Sequence, residues 1–130
     1  HHSPLFFHDK RAGRLVARSA WNEDAAWACY ENQRLQFFQD GRLAEVRLMG
    51  AKPLRVGEVW LAFVQPPATV TLDSESARDV FIVGLEPGRT YEVRLDENKP
   101  STHAADRGGI LHVSLEGEPR TRIQIRPARQ

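Results

Sequence analysis

Three histidines, one cysteine, a few clustered carboxylates and three tryptophans are the residues of this sequence that could carry chemistry. Leaving aside His1 and His2, the histidines are His8, His103 and His112. A structural zinc site takes its ligands as pairs a few residues apart, and these three make no such pair. His112 alternates with Leu111 and Val113, which predicts an outward position on a strand. His103 and Asp106 share one polar stretch and could hydrogen-bond. Cys29 is the only cysteine. A lone thiol forms no internal disulfide and gives no signal of redox compartment; beside Trp27, Ala28 and Tyr30 it reads as buried and inert. A catalytic thiol or hydroxyl needs a base beside it. The chain has no Gly-x-Ser-x-Gly elbow, no Ser/His/Asp set, no phosphate loop and no dinucleotide glycine pattern. The sequence therefore nominates no catalytic residue, no metal ligand and no cofactor.

The carboxylates give little more. Asp73, Glu75 and Asp79 surround Ser74 and Ser76, and oxygen-rich loops can hold calcium. The spacing is not that of an EF-hand and Arg78 would oppose a cation, so a solvated turn is expected. Glu23 and Asp24 are adjacent, which on a strand sends them to opposite faces. They make no acid/base pair for glycoside cleavage. Among the aromatics, Trp21, Trp27, Trp60, Tyr30, Phe37 and Phe38 could stack on a sugar ring, whose axial C–H bonds meet a π face. A sandwich also buries one or two tryptophans. Trp27 and Trp60 are assigned to the core. Trp21, beside the polar Asn22-Glu23-Asp24 turn, is the ligand-binding candidate.

The elements that must position these residues are short. Apolar runs recur about every ten residues, separated by turn residues, which is the pattern of a sandwich or barrel. Strands are expected over Leu5–Phe7, Arg14–Arg18, Ala25–Tyr30, Leu35–Gln39, Leu43–Leu48, Glu58–Val64, Thr69–Leu72, Val80–Val83, Tyr91–Leu95, Ile110–Leu115 and Thr121–Ile125. Asp40-Gly41 between two of them signals a hairpin. Val80–Val83 is continuously apolar, as in a strand buried on both faces. Single helical turns are expected near Asn22–Ala26 and Ser74–Arg78, and Asn98–Gly109 reads as a loop. The fold class is all-β: one antiparallel sandwich of about nine to eleven short strands.

The chain of 130 residues fits one domain and can bury a core without a metal or disulfide. Its formal charge of +1 is too small to draw it to nucleic acid or an anionic membrane, so neither is expected as a partner. Residues 120–130 carry four arginines and no acid, which reads as a solvated edge strand or, more sharply, an anion-binding strip. His1, His2 and Ser3 read as the remnant of an expression tag, and residues 4–130 as a domain cut from a longer protein.

Leu85-Glu86-Pro87-Gly88-Arg89-Thr90-Tyr91-Glu92-Val93 resembles the turn between strands E and F of fibronectin type III domains. Pro87 presets a tight turn, Gly88 accepts positive φ, and Tyr91 can return its hydroxyl to the turn's backbone, the tyrosine corner of immunoglobulin-like sandwiches. The resemblance specifies architecture, and two runs rather than one follow the tyrosine strand. Residues 15–27, with Arg18-Ser19-Ala20-Trp21 and Ala25-Ala26-Trp27, resemble the strand that opens the β-sandwich of heparinase II/III-like polysaccharide lyases. That resemblance implies a bacterial carbohydrate-active parent, secreted or periplasmic, whose catalytic helical part lies elsewhere.

Three functions follow as expectations. The first is a non-catalytic accessory domain that packs against or positions a neighbouring catalytic domain, marked by an exposed apolar patch. The second is a carbohydrate-binding module with exposed aromatics flanked by polar groups, its partner a polysaccharide. The third is a fibronectin-like protein-interaction domain with an unprotected edge strand. An enzyme acting alone would need His103 or His112 in a pocket beside a carboxylate.

Overall fold

The computed structural model describes residues 6–19, 25–50 and 52–129, and in it the chain is all-β. Thirteen strands form among the described residues: β1 (Phe6–Asp9), β2 (Arg14–Arg18), β3 (Trp27–Glu31), β4 (Arg34–Gln39), β5 (Arg42–Val46), β6 (Leu54–Val56), β7 (Val59–Phe63), β8 (Ala68–Asp73), β9 (Asp79–Val83), β10 (Thr90–Leu95), β11 (Ser101–Ala104), β12 (Leu111–Ser114) and β13 (Arg120–Pro127). They make three sheets: β1-β2-β3-β4-β5, then β12-β9-β7-β6, then β11-β10-β13-β8.

The sheets stack in three layers with β12-β9-β7-β6 in the middle, as the side-chain alternation of β9 shows. Val80 and Ile82 enter one core with Tyr91, Val93, Leu72, Ile123 and Ile125 of the third sheet. Phe81 and Val83, on the other face, enter a second core with Leu15, Ala17, Ala28, Tyr30 and Leu35 of the first sheet. A stretch of strand with apolar layers on both sides must be apolar at every position, and β9 is so from Val80 to Val83. Each side chain of this kind contributes roughly 1.5–3 kcal/mol by leaving water.

The middle sheet is mixed. β7 pairs with β9 in parallel, Val59 opposite Asp79 through Phe63 opposite Val83. The reason is topological: β8 leaves for the third sheet, so the chain returns to the middle sheet running in its original direction. All other pairs are antiparallel.

Local chemistry sets the connections. Asp40 (φ 53°) and Gly41 (φ 75°) form the tight β4–β5 hairpin that Asp-Gly predicts. The tyrosine-corner geometry is present: the Glu86 N–H donates to the Tyr91 hydroxyl at 3.0 Å. Two strands were not expected. β6 is three residues long, and β11 lies within the polar stretch taken for a loop, where its side chains are mostly exposed and leave no apolar alternation. The turn at Ser74–Arg78 forms without a helix.

Candidate functional site

The expected ligand residue, Trp21, lies outside the described residues. Trp60 is where it was assigned, half-buried against the core with its indole N–H donating to the Asp73 carbonyl at 2.9 Å. Trp27 is not in the core. It is 38% exposed and projects from the outer face of the first sheet. The assignment failed for a parity reason. The inward residues of β3 are Ala28 and Tyr30, both 0% exposed, and a period of two then sends Trp27, Cys29 and Glu31 outward. With Ala28 this small, the local run of apolar residues did not reveal which parity faced the core.

Strand register builds the rest of that face. Trp27 stands opposite Phe38, which stands opposite Leu43. On the other side Trp27 stands opposite Arg18, whose guanidinium lies over the indole at 4.2 Å. Phe38 is 37% exposed and Leu43 65%. The next outward row is Phe7, Val16, Cys29, Gln36 and Glu45. Beyond it come Arg14 and Glu31, paired at 3.0 Å, and Arg34, which reaches Glu45 at 2.7 Å. The Arg34 guanidinium holds the Glu45 carboxyl below the usual carboxylate range. Cys29, expected to be buried, is half-buried in the middle of this face; its partial burial pushes the thiol pKa up, so it stays protonated.

The histidines are distributed unlike the sequence expectation. His112 is not on a solvated face: its ring stacks on Phe81 at 4.5 Å and its Nε2 is 2.6 Å from Asp79. His103 does not reach Asp106. It contacts the Ser101 hydroxyl at 2.7 Å, and burial followed by the nearby charge of His112 lowers its pKa. Asp106 instead meets His8 at 2.7 Å, with both side chains 6% exposed. Its other oxygen accepts the N–H groups of Gly108 and Ile110, at 2.8 and 2.9 Å. Phe81 of β9 is thus ringed by His112, by Phe6 at 5.0 Å and by His8 at 5.3 Å. Gly13 and Gly108 touch backbone to backbone beside this seam.

Nucleophilic catalysis wants hydroxyl, imidazole and carboxylate in one relay. Here the imidazole that holds a serine is His103, while those that hold carboxylates are His8 and His112. Of these contacts His8–Asp106 is a strut between β1 and the loop before β12, His112–Asp79 joins β12 to β9 within the middle sheet, and His103–Ser101 stays within β11.

The acidic loop also has another role. Ser74 is fully buried and bonds the Thr121 hydroxyl at 2.7 Å and the Glu118 carbonyl, tying the loop to β13. No group of three or more metal-ligating side chains occurs among the described residues. In the arginine-rich end, Arg122 pairs with Glu97 and Arg126 with Glu92, each within 2.7 Å, so two of the strip's cations are already neutralised. A polar groove of about 460 Å³ on that outer face is lined by Thr69, Glu92, Arg94, Gln124 and Arg126 among others.

No helix among the described residues is long and apolar enough to cross a membrane. Compared with protein-family models, curated proteins and solved structures, the chain matches none of them.

Proposed function

We propose that this chain is a non-catalytic β-sandwich accessory domain of a larger bacterial carbohydrate-active protein, and that it works through the outer face of the five-stranded sheet. The observation that carries this reading is the row Trp27, Phe38 and Leu43, large apolar side chains exposed side by side, next to a row that runs from Phe7, Val16 and Cys29 to the polar Gln36 and Glu45. Isolated exposed hydrophobes are ordinary, whereas a contiguous row marks a contact surface. The tyrosine corner at Leu85–Val93 supports an immunoglobulin-like frame for the two sheets that contain it. The carbohydrate context comes from the resemblance of residues 15–27 to a polysaccharide-lyase sandwich. Those residues include β2 from Leu15 onward and the first position of β3, which carry Trp27 of the row and the Arg18 that lies over it.

The test is the paired substitution Phe38→Ser with Leu43→Ser in the full-length protein. Turnover of polymeric substrate should fall severalfold while thermal unfolding of the domain stays within a few degrees. Unchanged turnover on polymer and on short oligosaccharide would remove the face from function.

A second reading, a protein-interaction domain, is favoured by β5. Arg42–Glu45 are all exposed and β5 is the outermost strand of its sheet. Such edges accept a partner strand.

A further inference from the structure

We infer that the outer face of the five-stranded sheet binds a neutral polysaccharide, with Trp27 and Phe38 as the platform for a sugar ring and Gln36, Glu31, Arg34 and Glu45 as the groups that bind its hydroxyls. The inference rests on the working face proposed above and names its ligand.

Two chemistries lie next to each other on this face. The aromatic row supplies ring surface against which the axial C–H bonds of a pyranose can lie, from Phe38 and from the part of the Trp27 indole that Arg18 leaves uncovered. One row further along the strands, Gln36 offers both donor and acceptor, and beyond it the Arg14–Glu31 and Arg34–Glu45 pairs offer planar groups that can bridge neighbouring hydroxyls. Rows on one face are two residues apart, about 7 Å, so the path from Trp27 to Glu31 is roughly 14 Å long. That is more than a single ring needs and suits consecutive sugars of a chain. Arg18 over the indole restrains the Trp27 ring before any ligand arrives, which lowers the entropy lost on binding.

Charge selects among the possible occupants. The side chains that point outward here include Arg14, Arg18 and Arg34 against Asp9, Glu31 and Glu45, which sum to zero formal charge. A polyanion such as a uronate polymer or nucleic acid meets no excess of positive charge. A protein-docking face depletes its centre of charge, whereas here Gln36 and the paired carboxylate of Glu45 stand one row from the aromatic side chains and the Arg14–Glu31 pair one row beyond. A neutral polymer of hydroxyls fits both the flat apolar row and the paired planar groups.

The experiment is affinity electrophoresis of the 130-residue chain through gels containing soluble β-glucan, xylan or galactomannan, with polygalacturonate as the anionic control. Wild type is compared with Trp27→Ala, Phe38→Ala and Gln36→Ala, each checked for folding by thermal unfolding. At least one neutral polymer should retard the wild type. Trp27→Ala and Phe38→Ala should each weaken that retardation about tenfold or more, as for removal of a central aromatic anchor, and Gln36→Ala severalfold. Should Trp27→Ala fail to fold, Phe38→Ala carries the test. Retardation by polygalacturonate alone, retardation by none of the neutral polymers, or equal retardation of wild type and Phe38→Ala would overturn the inference. If the chain ignores every polymer but the Phe38/Leu43 double variant still impairs the full-length protein, the working face stands and only its sugar ligand falls.

Discussion

The two outer faces of this three-layer molecule solve the same problem differently. On the third sheet, outward side chains answer one another: Glu92 with Arg126, and Glu97 with both Arg94 and Arg122. On the first sheet the ion pairs occupy one end, and the other end exposes Trp27, Phe38 and Leu43. A sheet needs only one apolar face to fold. The second apolar row therefore contributes little to folding and is available for contact with something outside the chain.

The comparison is sharpest between two phenylalanines. Phe81 is 0% exposed on the strand that both cores share, and Phe38 is 37% exposed on the outer row. Phe81→Ala should cost about 3–5 kcal/mol in denaturant unfolding. Phe38→Ala should cost about 1 kcal/mol or less, the scale of one cross-strand pair. Equal costs would mean that the outer row is a structural layer, and the contrast between the faces would collapse.

A smaller effect probes the charged face. Arg126→Ala removes the partner of Glu92 in a pair that is well exposed, and its cost should be about 0–1 kcal/mol, fading in high salt. A loss well above that would show the ladder to be a structural element rather than a satisfied surface.

The smallest effect concerns pH at β11, the edge of that third sheet. Burial depresses the folded pKa of His103 below its usual value. The unfolded chain then takes up the proton first, so this residue's contribution is intact above the unfolded pKa and is lost as pH falls through the window below it. His103→Gln should flatten the loss of stability as pH falls below the usual histidine value of about 6.5, measured as midpoint against pH. A steeper acid-side loss in the variant would reverse the sign and remove burial as the cause.

How much of this was legible in the sequence depended on whether alternation was visible. β9 announced its burial on two faces because every residue from Val80 to Val83 is large and apolar. The β4–β5 hairpin and the tyrosine corner were legible because Asp40-Gly41 and Pro87-Gly88 each demand one backbone geometry. Trp27 was misplaced because its inward neighbour Ala28 is small and its outward neighbour is apolar, so both parities looked buried. The His8–Asp106 strut joins residues 98 apart in sequence, a distance at which no local pattern operates. The division into three sheets was hidden for a related reason: strand spacing counts strands and does not say where the chain changes layer.

The contact between Gly13 and Gly108 sorts the loops of this molecule into those that can lengthen and those that cannot. A methyl group added at either glycine would collide with the backbone of the other. That corner is closed to insertion. At Gly41 an added methyl meets nothing within 4 Å, and the turn lies one residue pair beyond Phe38 and Leu43. Descendants of this chain that acquire new specificity have room to grow there, where added residues would raise a wall beside the aromatic row and leave the seam between layers untouched.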